Sequence, residues 1–181
     1  PMRYETERLV LRSLSRRDAP ALLDYLTRNR DFLSEWEPVR DEAYYTLPSA
    51  QEFIRAEHAD HRRQSAMKLH LSKKGEKRII GYVGLSNIVR GAFLSCFAGC
   101  RLDADEINRG YMTEAMREVI RIAFDGMGLH RIEANIIPRN VRSRRVVEKL
   151  GFTLEGMSRK YLRINGVWED HLHYVVLNEK I

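Results

Sequence analysis

The dipeptide Asn165-Gly166, near the end of the chain, is the feature that most constrains the fold. Asn-Gly is typical of a two-residue type I′ turn, because the twist of that turn matches the twist of two antiparallel strands. Segments with alternating apolar residues lie on either side of it, at Thr153–Ile164 and Val167–Leu177. The sequence therefore predicts a long β-hairpin, and any fold for this chain has to include an antiparallel sheet.

The rest of the chain alternates between helical and extended patterns. An apolar stripe at helical spacing predicts a helix from about residue 111 to residue 127. Its members are Met112, Ala115, Met116, Val119, Ile120, Ala123 and Met127. Capping signals at Ser15, Ser49 and Asn140 predict further helices. Strands are predicted at residues 9–12, 66–72, 78–86, 92–102 and 132–137. This order predicts an α+β protein with a mixed sheet and a strand–helix–strand crossover in its second half.

Length and composition set the scale of the fold. The chain has 181 residues, of which 44% are hydrophobic, and this is enough for one sizeable core. We therefore expect a single domain over residues 1–181. No apolar segment approaches the roughly 18–20 residues that cross a bilayer, and the first residues lack the apolar core of a signal peptide. We expect neither membrane insertion nor secretion.

The two cysteines, Cys96 and Cys100, fall in one predicted strand. Four residues at about 3.3 Å each separate them by about 13 Å, which is too far for a disulfide in an extended strand. Their spacing does not match a zinc site, so no metal is expected. Free thiols are typical of a reducing compartment, and the sequence therefore predicts a cytoplasmic protein.

The formal net charge of +6 bears on possible partners. It fits a polyanionic partner, such as a phosphorylated cofactor, RNA or a ribosome surface. A solvated basic face on an ordinary soluble protein explains the charge equally well. The basic residues of the second half that would form such a face are Arg142, Arg144, Arg145, Arg159 and Lys160.

The segment from Leu102 to Thr113 is predicted to end a strand and to open the amphipathic helix through a turn at Gly110. The first turn of a helix leaves backbone N–H groups free, and with the helix dipole they favour a bound anion. Gly110 allows close approach of the backbone, while Asn108 and Arg109 add donors. The spacing matches neither a Walker A loop nor a dinucleotide fingerprint. Taken alone, the turn fits an ordinary strand-to-helix connection as well as an anion site.

Two further positions could carry chemistry. Asn140 is a predicted N-cap, and Ser143 shares the inward helix face with apolar residues, either as a core serine or as a proton donor. In the register set by a two-residue hairpin turn, Tyr161 faces Asp170 on a mostly apolar surface. Desolvation on such a surface raises the pKa of a carboxyl group, as a general base near neutral pH requires. A structural aspartate paired with Tyr161 or with a nearby arginine is the alternative.

Together these features resemble the cofactor motifs of the GNAT superfamily. Residues 108–115 resemble its Gln/Arg-x-x-Gly-x-Gly/Ala acetyl-CoA motif. A second segment, Asn140-x-x-Ser143 followed by Leu150-Gly151-Phe152, resembles the second cofactor motif of the superfamily. Two segments resemble the RimJ/RimL branch: Arg8-Leu9-x-Leu11-Arg12 at the start and Leu162-x-x-Asn165-Gly166-x-Trp168-x-Asp170 at the end. The resemblance to the RimJ type is closest from His130 to Leu172, a range that includes Asp170-His171. The likeness covers nearly the whole chain and is strongest over the second half.

The resemblance implies a GNAT fold: a central, mixed, mostly antiparallel sheet of seven strands, splayed between its fourth and fifth strands and flanked by about four helices. It implies an acetyltransferase that transfers the acetyl group of acetyl-CoA to a protein N-terminal α-amine, with alanine or serine first, as on ribosomal proteins. Direct attack in a ternary complex is the implied mechanism.

The implied partners are acetyl-CoA and a protein N-terminus, without DNA or a membrane, and the chain would be a monomer or a homodimer. Two alternatives stay open. One is a GNAT enzyme that acetylates a small free amine, and the other is a ribosome- or RNA-binding module. Acceptor contacts would come from residues 35–45 and from the final hairpin.

The resemblance also assigns site residues. Those implied to bind the cofactor are Leu102, Asn108, Arg109, Gly110, Tyr111, Met112, Thr113, Asn140 and Ser143. Ser143 is also similar to the serine proposed as the general acid in RimL-like enzymes. The family pattern does not supply the general base. Asp170, acting directly or through a water molecule, is the base predicted from the hairpin register, with Glu106 as the second candidate.

The chain departs from the family pattern at four positions. Ile107 takes the place of the usual glutamine of the cofactor motif, and Met112 that of its third small residue. Val147 stands where many relatives have a tyrosine acid, and Phe97 where many have a carboxylate. We therefore expect the backbone of the turn to bind the pyrophosphate with one side-chain contact fewer.

Overall fold

A computed structural model of the chain describes residues 2–181. Its strands are β1 (Arg3–Glu5), β2 (Leu9–Arg12), β3 (Met67–Lys73), β4 (Gly81–Val89), β5 (Ser95–Leu102), β6 (Arg131–Ile136), β7 (Thr153–Ile164) and β8 (Val167–Leu177). Its α-helices are α1 (Ala19–Arg28), α2 (Arg30–Ser34), α3 (Leu47–Arg63), α4 (Tyr111–Arg121) and α5 (Val141–Lys149). The predicted α+β class is confirmed.

All eight strands form one sheet in the order β1-β2-β3-β4-β5-β6-β8-β7. Neighbouring strands are antiparallel except for β5 and β6, which are parallel because α4 connects them as a crossover. The sheet has one strand more than predicted, since the short β1 pairs with β2. The described residues also form five α-helices rather than about four, because the five-residue α2 follows α1 directly.

Two apolar clusters hold the helices in place. Alternate residues of β2, β3 and β4 on one face, such as Leu11, Leu69 and Val83, are fully buried. They pack in one cluster with the apolar stripe of α4, where Ala115 and Val119 are also fully buried. The second cluster joins α1, α2 and α3. The predicted stripe of α4 therefore positions that helix against the sheet.

Several predicted boundaries differ from those observed. The α-helix beginning at Tyr111 ends at Arg121, and Ile122–Gly126 continues it as one turn of π-helix. Helix α3 begins two residues before Ser49, because the Thr46 side chain caps it by accepting the Ser49 N–H.

The hairpin begins in the predicted register and then departs from it. Ile164 pairs with Val167 as the Asn-Gly turn requires, but the register shifts between Ser158 and Leu162, and Ser158 pairs with His171. Tyr161 is therefore not paired with Asp170, contrary to prediction. Lys160, with a φ of 48°, lies inside this bulge, where three residues of β7 oppose one residue of β8.

None of the helices within residues 2–181 is both long and apolar enough to cross a membrane.

Candidate active site

Strands β5 and β6 separate soon after they meet. They pair only from Ser95 to Phe97 on β5, opposite Arg131 to Glu133 on β6. Beyond this point the backbone groups along the facing edges of both strands lack a ladder partner. The predicted splay is confirmed: β5 and β6 are the fourth and fifth strands of the predicted sheet, which lacked the short β1. The splay provides hydrogen-bonding groups for an extended ligand.

A cavity of about 620 Å³ occupies the gap between the two strands. Eight of the nine residues predicted to bind the cofactor line it: Leu102, Asn108, Gly110, Tyr111, Met112, Thr113, Asn140 and Ser143. The ninth, Arg109, does not line the cavity, and its guanidinium lies 3.5 Å from the Glu106 carboxylate. The two cofactor motifs, about thirty residues apart in sequence, thus meet at one cavity.

The turn before α4 presents free backbone donors. Asn108 and Gly110 have positive φ angles of 63° and 81°. The first helical hydrogen bond runs from the Glu114 N–H to the Gly110 carbonyl at 3.1 Å. The N–H groups of Tyr111, Met112 and Thr113 precede it, at the positive end of the helix dipole. This geometry suits an anion that lies against the helix end.

Arg8 holds this turn to the start of β2. Its guanidinium donates to Glu114 at 2.7 Å and to the Arg109 carbonyl at 2.9 Å, and it lies 4.4 Å from the centre of the Tyr111 ring. Glu114 also accepts the Arg8 backbone N–H at 2.8 Å and the Thr6 hydroxyl at 2.5 Å. The turn is therefore fixed from outside the cavity before any ligand binds.

Helix α5 forms the opposite wall of the cavity. Asn140 caps it, because its side-chain oxygen accepts the Ser143 N–H at 3.3 Å. The Tyr174 hydroxyl of β8 accepts from Arg144 and donates to Glu148, both at 3.1 Å. These bonds fix α5 against the sheet. Its cations that line the cavity are Arg142, Arg145 and Lys149.

The two predicted base candidates do not line this cavity. The Asp170 carboxylate accepts the backbone N–H of Lys160 at 2.9 Å, inside the hairpin bulge. Glu106 forms an ion pair with Lys73 at 2.8 Å. The structure therefore brings Ser143 and Asn140 together at the cavity, and it places Asp170 and Glu106 elsewhere.

The remaining part of the cavity is built by residues outside the two predicted cofactor motifs. The loop after α2 contributes Trp36 and Glu37, within the segment expected to contact the acceptor. Glu37 forms an ion pair of 2.7 Å with Arg101 of β5, whose guanidinium lies 5.0 Å from the Tyr82 ring centre. Burial acts to lower the pKa of Arg101, but Glu37 together with Tyr25 and Tyr44 outweighs it, and the pKa is raised. Burial raises the pKa of Tyr82 to about 12.

The sequence did not single out this group of residues. One signal was available, since Arg101 interrupts an otherwise apolar strand and a charge there needs a partner. That partner is 64 residues away in sequence, and only the tertiary fold brings Glu37 to it.

His171 of β8 also lines the cavity, although it is only 3% exposed. Asn135 of β6 lines it as well, and its side-chain oxygen lies 2.5 Å from Nδ1 of His173. His171 belongs to the family-like segment of the final hairpin, but nothing in the sequence indicated that His171 or Asn135 lies at the cavity. Within residues 2–181 no cluster of three or more potential ligands could hold a metal ion.

The chain is similar to known acetyltransferases in sequence and in fold. The acetyltransferase (GNAT) domain family model matches residues 8–153. The [ribosomal protein uS5]-alanine N-acetyltransferase of Escherichia coli K12 is 40% identical over 171 residues, which cover 94% of this chain and 88% of that protein. The crystal structure of ribosomal-protein-S5-alanine acetyltransferase from Vibrio fischeri has a TM-score of 0.93 and 36% identity, covering 99% of this chain and 98% of that chain. Mycobacterium smegmatis RimJ in complex with CoA-disulfide has a TM-score of 0.90 and 28% identity, covering 96% of this chain and 83% of that chain.

Proposed function

Because the chain belongs to the GNAT acetyltransferase family, we propose that it transfers the acetyl group of acetyl-CoA to the N-terminal α-amine of a ribosomal protein. The identity of 40% to a uS5-alanine N-acetyltransferase supports an acceptor that begins with alanine, one of the two residues expected from the sequence. The acceptor would meet the enzyme in the cytoplasm, where ribosomal proteins are made. Either a monomer or a homodimer is compatible with this function.

The residues of the cavity fit acetyl-CoA. The free N–H groups at the start of α4 suit its pyrophosphate, and the unpaired edge of β5 beyond Phe97 suits its amide-bearing arm. Arg142, Arg145 and Lys149 provide positive charge along the α5 wall for phosphate. The single observation that carries the proposal is this continuous cavity, which runs from the α4 turn to the loop with Trp36 and Glu37.

Direct attack of the amine on the thioester is the mechanism that these residues support. A covalent acetyl-enzyme on a cysteine would need an activated thiolate, but burial raises the pKa of Cys100 to about 11 and that of Cys96 to about 12. Neither thiol is therefore activated near neutral pH. Both substrates then have to be bound together, with the amine adjacent to the thioester carbon.

Two groups of the chain serve the transition state. Backbone N–H groups on the free edge of β5 donate to the carbonyl oxygen as its negative charge develops. The Ser143 hydroxyl, at the first turn of α5, donates a proton to the departing thiolate. Asn140 accepts the Ser143 backbone N–H at 3.3 Å and so fixes the Ser143 backbone at the cavity wall.

The test is an acetylation assay with purified protein, acetyl-CoA and peptides that begin with Ala, Ser or Met, with free CoA as the measured product. We expect turnover on the Ala and Ser peptides. A parallel panel of small amines serves as the comparison, and acetylation of small amines alone would contradict the proposed acceptor. In the same assay, direct attack predicts intersecting rather than parallel lines when both substrates are varied.

A further inference from the structure

His171 lines the cavity with a defined tautomer. Its Nδ1 lies 2.9 Å from the backbone carbonyl of Glu169. A carbonyl oxygen only accepts hydrogen bonds, so Nδ1 carries a hydrogen. The Nε2 atom of the neutral ring therefore keeps its lone pair, and no other side chain among residues 2–181 hydrogen-bonds to it.

The remaining surroundings of His171 fix the position of its ring. The Tyr161 ring lies 5.4 Å from the His171 ring and 5.0 Å from the His173 ring, so it packs between the two histidines. His173 itself is held at both nitrogens, by the Ser158 hydroxyl at 2.7 Å and by Asn135 at 2.5 Å. The hairpin bulge makes this arrangement possible, because it places Ser158 opposite His171. His171 is thus held by the sheet without losing the free Nε2.

Other titratable groups of the cavity are poorly suited to accept a proton. The Glu37 carboxylate is held by Arg101 at 2.7 Å. The Tyr82 phenol and the Cys100 thiol are buried, which raises both pKa values and keeps both groups protonated near neutral pH. The remaining charged side chains of the cavity wall are cations, which have no lone pair to offer. An imidazole is the side chain that ordinarily accepts protons between pH 5 and 8.

We propose that His171 is the general base of the acetyl transfer. This inference rests on the proposed function, because it requires an ammonium acceptor in the cavity. Nε2 accepts one proton from the ammonium group and releases it to solvent. The freed lone pair of the amine forms the N–C bond at the thioester carbonyl. The C–S bond breaks with its electron pair on sulfur, Ser143 protonates the thiolate, and the second amine proton returns to Ser143.

The test compares His171→Asn with a matched His130→Asn control. The asparagine side chain keeps an N–H group near the position of Nδ1 and so preserves the bond to Glu169, but it cannot accept a proton. His130 precedes β6 and does not line the cavity. We expect the His171 variant to lose about a hundredfold in kcat, the lower part of the range for general base catalysis. Its Kd for acetyl-CoA should stay within about twofold of the wild-type value, and His130→Asn should match wild type.

A second variant separates a chemical role from a structural one. Removal of the ring in His171→Ala leaves space beside Tyr161, and added imidazole should restore part of the lost kcat. A structural role would not respond to imidazole. Full activity of His171→Asn would overturn the proposal, as would a loss that is matched by weaker acetyl-CoA binding and that imidazole does not rescue. If Asp170→Asn loses about a hundredfold in kcat while His171→Asn stays active, the base is Asp170 instead.

The comparison is made on whichever amine the wild-type protein acetylates. If only small amines react, the proposed acceptor is wrong while the His171 comparison still decides the base. If peptides react and His171→Asn keeps its kcat, the base assignment is wrong and the proposed function stands. Absence of acetylation of every amine would overturn both.

Discussion

Glu37 and Arg101 form an ion pair of 2.7 Å that joins the loop after α2 to strand β5. Their side chains are 15% and 27% exposed, so water reaches the pair mainly through the cavity. The loop that builds the acceptor side is therefore connected directly to the strand that borders the thioester position. Loss of this bond should affect stability and acceptor binding together.

We predict that Glu37→Gln lowers the free energy of unfolding by about 2 kcal/mol, less than the roughly 3–5 kcal/mol for a fully buried pair. The variant leaves the Arg101 charge without a counterion, and KM for the acceptor should rise. Urea unfolding and acceptor titrations measure the two effects. Glu35→Gln is the control, because Glu35 lies 3.6 Å from Arg139 in an exposed pair. An equal loss in both variants would show that burial of the pair contributes nothing.

Gly110→Ala should weaken acetyl-CoA binding. Gly110 has a φ of 81°, where an alanine costs about 1–2 kcal/mol, and its added Cβ would lie 3.3 Å from the Arg8 guanidinium. Gly75 is a matched control, since it also has a φ of 81° but lies in the turn after β3 with open space around it. Both variants should lose similar stability in urea, whereas calorimetry should show a higher Kd for Gly110→Ala alone. Equal affinities would mean that the turn tolerates a Cβ.

The α4 turn and the β7–β8 hairpin show which features of the fold could be predicted from the sequence. The α4 turn depends on neighbouring residues, so the positive φ of Gly110 and the free N–H groups follow from a local pattern. The hairpin turn was predicted for the same reason. The bulge at Lys160 was not, because a non-glycine residue with positive φ leaves no compositional signal. That bulge moves Tyr161 away from Asp170, and so the predicted pairing of these two residues was wrong.

The pH dependence of stability should involve Glu114. Burial acts to raise the pKa of Glu114, but the bonds from Thr6 and Arg8 outweigh it and the pKa is lowered. A carboxyl group with a lowered pKa stabilises the fold above its unfolded pKa of about 4.3, and this stability is lost as pH falls through the folded value. Glu114→Gln should therefore flatten the urea-unfolding profile below about pH 4.5 and lower stability at pH 7 by about 1–2 kcal/mol.

In Glu114→Gln the pH dependence of the free energy of unfolding should flatten only in part. The pKa of Asp103 is also lowered, because the Arg28 and backbone bonds outweigh the effect of burial, and it contributes in the same direction. Glu118→Gln is the control on the same helix, where Glu118 pairs with the exposed Arg121. A wild-type slope in Glu114→Gln would exclude this carboxylate as a source of the acid sensitivity.

Ser143→Ala should lower kcat without weakening the donor complex. Loss of a general acid typically costs about 10²–10⁴-fold, and we expect about tenfold to a hundredfold because a thiolate departs without full protonation. The Asn140 cap bonds the Ser143 backbone rather than its hydroxyl, so α5 should stay intact. Steady-state rates and acetyl-CoA Kd values test this, with Ser49→Ala as the control in α3. An unchanged kcat would make Ser143 a wall residue without a chemical role.

The cations of α5 should distinguish acetyl-CoA from its analogue without the 3′-phosphate. Arg145 and Lys149 line the cavity, and neither forms an ion pair within residues 2–181. A charge-assisted hydrogen bond contributes about 1.5–3 kcal/mol, so the double variant Arg145→Gln/Lys149→Gln should bind acetyl-CoA at least about tenfold more weakly. Binding of 3′-dephospho-acetyl-CoA should change much less, and higher salt should narrow the difference in affinity between the wild type and the double variant.

The control is Arg62→Gln/Lys77→Gln, which removes one arginine and one lysine outside the cavity. This variant should bind both ligands as the wild type does. Equal weakening for the two ligands would mean that these cations act on the pyrophosphate or on the fold rather than on the 3′-phosphate.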